Sequence, residues 1–200
     1  MKTHVLLYVE GETEEVLFPK IIQHYRDNFK CSDVVFHIEN IKGVGNYKGK
    51  AKGKLQQLFQ RIQKEGDELK IVICSYDTDV FEFKPNPPID WQALKGVFEA
   101  ITKKKNVFLM PINHSIEDWL LTDIDGLCKY LRTKKKPRNL LGANGFDKMS
   151  HWFKQHHKVY SKGYECENIV KYIDVSKIIS AYHKELSCVR MALGIKETQQ

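Results

Sequence analysis

The feature that most constrains the fold of this chain is the alternation of short apolar runs with helical patterns through its first 113 residues. Four runs read as buried strands, at 4–9, 33–41, 69–76 and 107–113. Segments with apolar residues at helical spacing separate them, at 13–26, around 55–62 and at 90–102. Strands that are apolar throughout and are joined by helices are typical of a parallel sheet covered on both faces. The sequence therefore predicts an α/β fold with about four parallel strands wrapped by helices.

The second part of the chain has a different pattern, because helical spacing prevails after about residue 114. Two segments show it most clearly, at 117–131 and 174–193. A basic, solvated loop is expected between them at 132–138, and a proline-rich loop is expected earlier, at 84–88. We therefore expect a core domain over residues 1–122 and a helical C-terminal extension over 123–200 that packs on the core.

Composition argues against several classes of protein. No apolar run approaches the ~20 residues that a membrane helix needs. The N-terminal sequence leads straight into a strand and lacks the apolar region and cleavage site of a signal peptide. The five cysteines are scattered without a CxxC pair, which favours buried reduced thiols over a disulfide framework or a zinc site. We expect a cytoplasmic protein that has no membrane partner.

Charge indicates the class of partner. The net charge is +7, and a basic balance favours polyanions such as nucleic acid. A segment rich in glycine and lysine follows the second strand; it has neither Walker A nor dinucleotide-binding spacing. As a flexible loop it can hold a phosphate backbone through Lys48, Lys50, Lys52 and Lys54, and Tyr47 can stack on a base. A solvated loop without a ligand is the alternative.

Acidic side chains follow three of the predicted strands. Glu10 ends the first strand, Asp77 and Asp79 end the third, and Glu117 and Asp118 come just after the fourth. Because ligands of an open parallel sheet bind outside the carboxyl ends of its strands, we expect these acids at one edge. Clustered carboxylates repel one another, and a hard cation with oxygen ligands removes that cost. The pattern therefore predicts a site for Mg²⁺ or Mn²⁺.

A second interpretation of acids at strand ends needs no metal. Carboxylates near the start of a helix are stabilised by the helix dipole. Thr13 can cap the helix that follows the first strand, with Glu14 and Glu15 in its first turn. Asp118 can equally be an N-terminal acid of the helix that follows the fourth strand. Both interpretations remain open at these positions.

The order of the motifs resembles a Toprim domain. The first strand ends in VEGETE at 9–14, and the third ends in DTD at 77–79. NHSIEDWLL at 113–121 is similar to the Asn-Pro-x-Phe-Glu-x-Trp-Leu-Leu signature of small stand-alone Toprim proteins of the RloB-like kind. YSKG at 160–163 resembles their Tyr-x-Lys-Gly. Histidine and isoleucine stand where the longer signature has proline and phenylalanine, and the form VEGxTE resembles the nucleases of the overcoming-lysogenization-defect family more than topoisomerases.

This resemblance implies a Toprim, Rossmann-like fold and a magnesium-dependent phosphodiester hydrolase that acts on DNA or RNA in bacterial anti-phage defence. Carried over by position, Glu10 is a metal ligand or general acid–base, and Asp77 and Asp79 are magnesium ligands. Glu117 is the fourth acid of the set. Lys162 balances the charge of a phosphate.

Two further hypotheses belong to other classes of function. The chain can be a Toprim-fold subunit that is nearly inert alone and is held or switched by an ATPase partner. It can also be a non-catalytic nucleic-acid-binding protein that uses only its lysines, in which case binding depends on salt and is unaffected by chelation.

Overall fold

The computed structural model describes residues 1–79 and 89–196, so the expected proline-rich loop at 84–88 lies outside the described residues. Four strands form one sheet in this part of the chain: β1 (Thr3–Val9), β2 (Val34–Asn40), β3 (Glu68–Asp77) and β4 (Val107–Ile112). Every pair is parallel, and the strand order is β2-β1-β3-β4. The predicted α/β fold is therefore confirmed, and its Rossmann-like sheet is consistent with a Toprim-type architecture.

Helices connect the strands and follow the last of them. In chain order the described helices are α1 (Glu12–Asn28), α2 (Lys50–Lys64), α3 (Trp91–Thr102), α4 (Ile116–Leu120), α5 (Ile124–Leu131), α6 (Gly145–Gln155), α7 (Cys166–Val170), α8 (Val175–Ala181) and α9 (Ser187–Ala192), with a 3-10 turn at Val44–Tyr47 before α2. Across these ranges, no helix combines the length and the apolar character that crossing a bilayer requires. The five cysteines are free thiols, and all except Cys31 are buried, as predicted.

Alternation along the central strand β1 divides the core between the two faces of the sheet. Val5, Leu7 and Val9 belong to one apolar cluster, together with residues of α1 and of the helices after β4. Leu6 and Tyr8 belong to the other cluster, which α2 and α3 complete. The first cluster therefore joins the sheet to helices on both sides of the boundary predicted between core and extension.

The helix predicted over 117–131 is two helices, α4 and α5, with a break at residues 121–123. Asp123 at the break is buried. Its carboxylate accepts hydrogen bonds from the backbone N–H of Asp174, at 2.7 Å, and from the ammonium of Lys177, at 2.6 Å. These polar partners orient the chain for a new helix start, so the helical continuity that the apolar spacing predicted is lost.

The helix predicted over 174–193 is also divided, into α8 and α9. The buried Arg190 of α9 donates a hydrogen bond to the carbonyl oxygen of His183, in the connection between the two helices. Such a bond satisfies a carbonyl group that a continuous helix would have paired with its own backbone. Two helices escaped the sequence analysis, α6 and α7, although Asn144 caps α6 by accepting from the backbone N–H of Asp147 at 2.8 Å.

The lysine-rich segment is mostly helical, and its interpretation as a loop was wrong. Because α2 begins at Lys50, the side chains of Lys50, Lys52 and Lys54 project from a helix. Ala51 and Leu55 are fully buried at i, i+4 spacing. This apolar stripe extends the helix into a sequence in which glycines suggested a loop.

The strand order places the carboxyl ends of β1, β3 and β4 side by side. Hydrogen bonds fasten the connection after β3 to the connection after β4. The backbone N–H of Thr78 donates to the carbonyl of Ile112 at 3.1 Å, and that of Asp79 donates to the carbonyl of His114 at 3.0 Å. The N–H of His114 in turn donates to the hydroxyl of Thr78 at 2.8 Å. The acids after β3 and β4 are thus held at one edge of the sheet.

Candidate metal centre

A cleft of about 370 Å³ opens at this edge, between the ends of β1, β2 and β3 and the start of α4. Five carboxylate side chains line it: Glu10, Glu12, Glu14, Asp77 and Glu117. Two lysines, Lys42 and Lys162, line it as well. The cleft therefore holds more negative than positive side chains in a recess of the surface, although the chain as a whole is basic.

Glu10 and Asp77 meet across the neighbouring strands β1 and β3. The backbone N–H of Asp77 donates to Oε1 of Glu10 at 3.2 Å, and Asp77 is buried. Burial, followed by the charges of Glu14 and Asp79, raises the pKa of Glu10 to about 7. Burial, followed by the charges of Glu14, Glu10 and Glu117, raises the pKa of Asp77 well above its usual range. Both carboxyl groups are therefore in surroundings that disfavour their ionised form.

Glu117 is fully buried, with 0% of its surface exposed. Its Oε1 accepts a hydrogen bond of 3.0 Å from the phenol of Tyr160, and its Oε2 lies 3.7 Å from the ammonium of Lys162. Tyr160 and Lys162 are the two residues that the YSKG resemblance indicated. The region after α6 therefore supplies one wall of the cleft, and it brings the predicted lysine to the fourth predicted acid.

Lys162 lies among the acids of the cleft. Burial alone would lower the pKa of its amine, but the charges of Glu117, Asp77 and other nearby acids outweigh burial and raise that pKa. Gly163 follows at φ +78°, in the left-handed region that favours glycine. A larger residue there would be strained and would also displace the end of the exposed Glu12 side chain.

Glu14 lines the cleft. From the sequence it could be either an acid of the metal site or an acid at the start of a helix. It is 3% exposed and lies in the first turn of α1, where the helix dipole favours an acid. Burial, with a contribution from the charge of Glu117, raises the pKa of Glu14 to about 7, although the backbone N–H groups of Glu14 and Gly11 act in the opposite direction. Glu14 is therefore both a first-turn acid of α1 and a neighbour of the other acids. The expectation that Thr13 caps α1 was wrong, because the helix begins directly after Gly11 and Thr13 is buried in its first turn.

Asp79 does not line the cleft. β3 ends at Asp77 and the chain is already helical at Asp79, so the extended alternation that would align the two carboxylates is absent. The charge of Asp79 nevertheless contributes to the raised pKa values of Glu10 and Lys162. Asp79 is therefore a neighbour of the predicted site rather than part of its wall.

Asp118 also lies outside the cleft. Its Oδ2 accepts a hydrogen bond of 3.2 Å from the hydroxyl of Ser115, and its Oδ1 lies 3.6 Å from the ammonium of Lys148. The contact with Ser115 lies at the start of α4, and the contact with Lys148 joins α4 to α6. They favour the second interpretation of this residue, an acid at a helix start.

Two buried carboxylate oxygens of the cleft have no hydrogen-bond partner within the described ranges: Oδ1 of Asp77 and Oε2 of Glu117. A buried charged oxygen without such a partner is costly, and a cation in the cleft would relieve that cost. Carboxylate oxygens are the ligands that Mg²⁺ and Mn²⁺ prefer. The donor set therefore fits the predicted ion: Asp77 and Glu117 are the residues that would hold it, and Glu10 lies beside them.

The carboxylates of the cleft are not packed tightly enough to form a closed cage. In the described part of the chain, the one group whose metal-binding atoms all lie within 4.8 Å of one another is His4, Glu65 and Asp67, at the opposite edge of the sheet. Magnesium commonly binds through one or two carboxylates and keeps several waters, with substrate phosphates completing its shell. The wider spacing in the cleft suits an ion of that kind.

The four lysines predicted to contact nucleic acid lie at and before the start of α2. Lys48, Lys50 and Lys52 are exposed, and they follow the end of β2 on the same edge as the cleft. Lys54 instead forms an ion pair with Glu39 and is only partly exposed. Three of the four side chains are therefore placed to meet a polyanion.

Tyr47 is not a base-stacking platform, and that prediction was wrong. Its ring is fully buried, and its hydroxyl donates to the carbonyl oxygen of Ser75. Edge contacts with Tyr8 and Trp91 complete its surroundings. The ring packs in the apolar core with residues of α2, so it is not available to a ligand.

Comparison with known proteins identifies no relative of this chain: none of the protein-family models, curated proteins or solved structures searched matches it. Function is therefore inferred from the geometry and the chemistry of the cleft.

Proposed function

We propose that the protein is a magnesium- or manganese-dependent phosphodiester hydrolase that acts on nucleic acid. The observation that carries this proposal is the pair of buried oxygens without hydrogen-bond partners, Oδ1 of Asp77 and Oε2 of Glu117, in a cleft lined by further acids. When bound there, a divalent ion would neutralise charge on a phosphoryl group and orient a water nucleophile. The resemblance of the motifs to Toprim nucleases supports the same reaction.

Glu10 is the residue best suited to move a proton. In the metal-free protein its pKa is raised to about 7, within the range that acid–base catalysis near neutral pH uses. It is also only partly buried, whereas Asp77 and Glu117 are buried. We assign Glu10 to proton transfer at the attacking or leaving oxygen, and Asp77 and Glu117 to holding the ion.

Lys162 supplies the fixed positive charge of the cleft. Its side chain is 55% exposed, so it can reach a ligand while remaining 3.7 Å from Oε2 of Glu117. A positive charge that is already in position stabilises the negative charge that develops on the phosphate in the transition state, because the protein does not have to rearrange. Lys162 therefore binds and orients the phosphodiester.

Nucleic acid is the substrate class that the surface supports. Lys42 lines the cleft, and the exposed Lys48, Lys50 and Lys52 continue positive charge away from it along the same edge. Lysines that contact phosphates position a strand without reading its bases. A role in phage defence stays a prediction from the motif resemblance.

The proposal is tested by incubating end-labelled single-stranded and duplex DNA and RNA with the protein in magnesium, in manganese and in EDTA. Asp77→Asn and Glu117→Gln remove the two charges that would hold the ion. Asp118→Asn is the matched control, because Asp118 is next to Glu117 in sequence but its carboxylate contacts Ser115 and Lys148 instead of the cleft. We expect cleavage that needs the ion, is lost in the first two variants and persists in the control. Cleavage unchanged by Asp77→Asn would contradict the proposal.

The same assay separates the two other hypotheses. Cleavage that begins only when an ATPase partner is added supports a regulated subunit. Retention of nucleic acid that is equal in magnesium and in EDTA, with no cleavage in any condition, supports a non-catalytic binding protein.

A further inference from the structure

We infer that the chain has a second metal site, at the amino-terminal edge of the sheet, which binds a dication of the zinc type through His4, Glu65 and Asp67. The metal-binding atoms of these residues lie within 4.8 Å of one another. His4 is in β1, whereas Glu65 and Asp67 belong to the connection between α2 and β3. The site is thus separate from the acid cleft, which lies at the carboxyl ends of the same strands.

The spacing of the two less exposed ligands matches a tetrahedral ion. Nε2 of His4 lies 3.3 Å from Oδ2 of Asp67. Zinc bonds of ~2.0–2.2 Å in tetrahedral geometry hold neighbouring ligand atoms about 3.3–3.6 Å apart. His4 is also buried, with 6% of its surface exposed, and its ring lies between His37 and Asp67. The side chain of Glu65 comes from the exposed side of the same group.

The hydrogen bonds around these residues resemble those around the ligands of bound metals. A histidine that binds metal through one ring nitrogen usually donates its other N–H to a nearby acceptor, which fixes the ring. Nδ1 of His4 lies 2.9 Å from Nε2 of His37, which can accept such a bond. The second oxygen of Asp67 accepts a hydrogen bond of 2.6 Å from the backbone N–H of Lys2. Both candidate ligands are therefore oriented through atoms that a metal would not use.

The ligand types select the class of ion. Imidazole with two carboxylates suits zinc, cobalt or nickel, whereas magnesium prefers oxygen ligands alone. No histidine is among the residues that line the acid cleft. The two sites should therefore differ in metal preference. Zinc binding at one site and magnesium binding at the other can then be measured in the same protein.

The expected effect of this ion is on stability. It would join the start of β1 to the turn that leads into β3, two segments that already exchange a backbone hydrogen bond between Glu68 and Lys2. A ligand that binds the folded state alone shifts the folding equilibrium toward it. Zinc should therefore stabilise the protein without taking part in its chemistry.

The test titrates zinc calorimetrically into the metal-free protein and follows cobalt by its visible absorption, with thermal unfolding in parallel. Glu65→Gln and Asp67→Asn remove one ligand each, and Glu65 is exposed, so its replacement leaves the fold intact. Glu68→Gln is the matched control, because this nearby acid pairs with Lys104 outside the group. We expect one zinc to bind, with tetrahedral cobalt absorption and a raised Tm. We expect affinity to fall roughly tenfold or more in the two ligand variants and in His37→Gln, but not in Glu68→Gln.

Two results would overturn the inference. One is a wild-type protein whose Tm and calorimetric signal do not respond to zinc. The other is zinc binding that survives both Glu65→Gln and Asp67→Asn, or that is lost instead in Asp77→Asn, which would place the ion in the acid cleft. Neither result bears on magnesium-dependent cleavage, so failure of the second site and failure of the proposed function can be told apart.

Discussion

The phenol of Tyr160 donates a hydrogen bond of 3.0 Å to Oε1 of Glu117, and this contact joins the region after α6 to the acids of the sheet edge. The tyrosine ring is itself buried against Phe153, at a ring separation of 5.3 Å. With Oε1 held in this way, the second oxygen of Glu117 is the one near Lys162. Tyr160 therefore acts as a positioning residue for an acid that would hold metal.

Replacing Tyr160 with phenylalanine tests this positioning. The change removes one hydrogen bond to a buried carboxylate and should destabilise the protein by about 1–3 kcal/mol. It should also weaken magnesium or manganese binding roughly tenfold, as loss of an outer-shell partner commonly does. Calorimetric titration and urea unfolding measure the two effects. Tyr164→Phe is the control, because Tyr164 is 66% exposed; an equal loss of metal affinity in both variants would argue against the role.

Stability without divalent ions should fall as the pH rises through neutrality. The pKa values of Glu10 and Glu14 are raised to about 7 from 4.5 in the folded protein. A carboxyl group with a raised folded-state pKa contributes stability that is complete below its unfolded value and is lost as the pH rises through the folded one. Urea unfolding in EDTA should therefore give a smaller free energy of unfolding at about pH 8 than at about pH 5, by roughly 2–5 kcal/mol from these two groups together.

The variant Glu14→Gln isolates one of these groups. The amide keeps the shape of the side chain but carries no charge, so the fall in stability between the two pH values should be smaller than in the wild type. Glu15→Gln alters an exposed neighbour in the same helical turn and should leave the dependence unchanged. Wild-type stability that rises with pH in EDTA would contradict this account of the cleft.

Lys162 should matter for the reaction more than for the ion. Replacing it with methionine removes positive charge from the cleft, so metal affinity should be kept or slightly increased. Cleavage should fall on the order of 10²–10³-fold, as for the loss of one preorganised electrostatic partner of a transition state. Lys162→Arg should restore part of the rate. Equal cleavage by the methionine variant and the wild type, measured with saturating metal, would remove Lys162 from the mechanism.

The exposed lysines before and in α2 should control the affinity for nucleic acid without controlling the ion. Replacing Lys48, Lys50 and Lys52 together with glutamine should weaken binding and reduce the slope of log affinity against log salt by up to about 2–3 units. Lys103→Gln and Lys105→Gln, on the amino-terminal side of β4, form the matched control. Fluorescence anisotropy at several salt concentrations measures the slope, and an unchanged slope in the triple variant would mean that the strand binds elsewhere.

The fold was predictable because the strands are nearly continuous apolar runs, each followed by an amphipathic pattern. The acids at the ends of β1 and β3 followed from topology, since parallel strands bring their carboxyl ends to one edge. Asp77 met this expectation and lines the cleft, whereas Asp79 does not, because the strand ends at Asp77 and alternation stops with it.

The burial of Glu14 is indicated by the sequence pattern. Glu14 shares the buried stripe of α1 with Leu17, Phe18 and Ile21, at i, i+3, i+4 and i+7. A carboxylate on an apolar stripe is usually either paired or functional, and this spacing is present in the sequence. Its place beside Asp77 and Glu117 in the cleft depends on how the strands and helices pack.

The contact between Tyr160 and Glu117 could not be predicted from local sequence patterns, because the two residues are far apart in the chain. It depends on how α4, α6 and the segment after α6 pack, and no helical or strand period connects positions so far apart. The break within the predicted helix at 117–131 has the same origin, because the buried Asp123 binds Asp174 and Lys177 far along the chain. The break within 174–193 accompanies a local hydrogen bond from the side chain of Arg190 to the carbonyl of His183. Hydrogen bonds of buried polar side chains are involved at both breaks, and apolar spacing does not report them.

The most direct test of the central claim is calorimetric titration of magnesium into the protein bound to a non-cleavable oligonucleotide with bridging phosphonate linkages, whose non-bridging oxygens can complete the ion's shell. The wild type and Asp118→Asn should bind the ion alike. The double variant Asp77→Asn, Glu117→Gln should lose at least about tenfold in affinity, because it removes two of the charges that hold the ion. Equal magnesium binding by all three proteins would contradict a metal centre in this cleft.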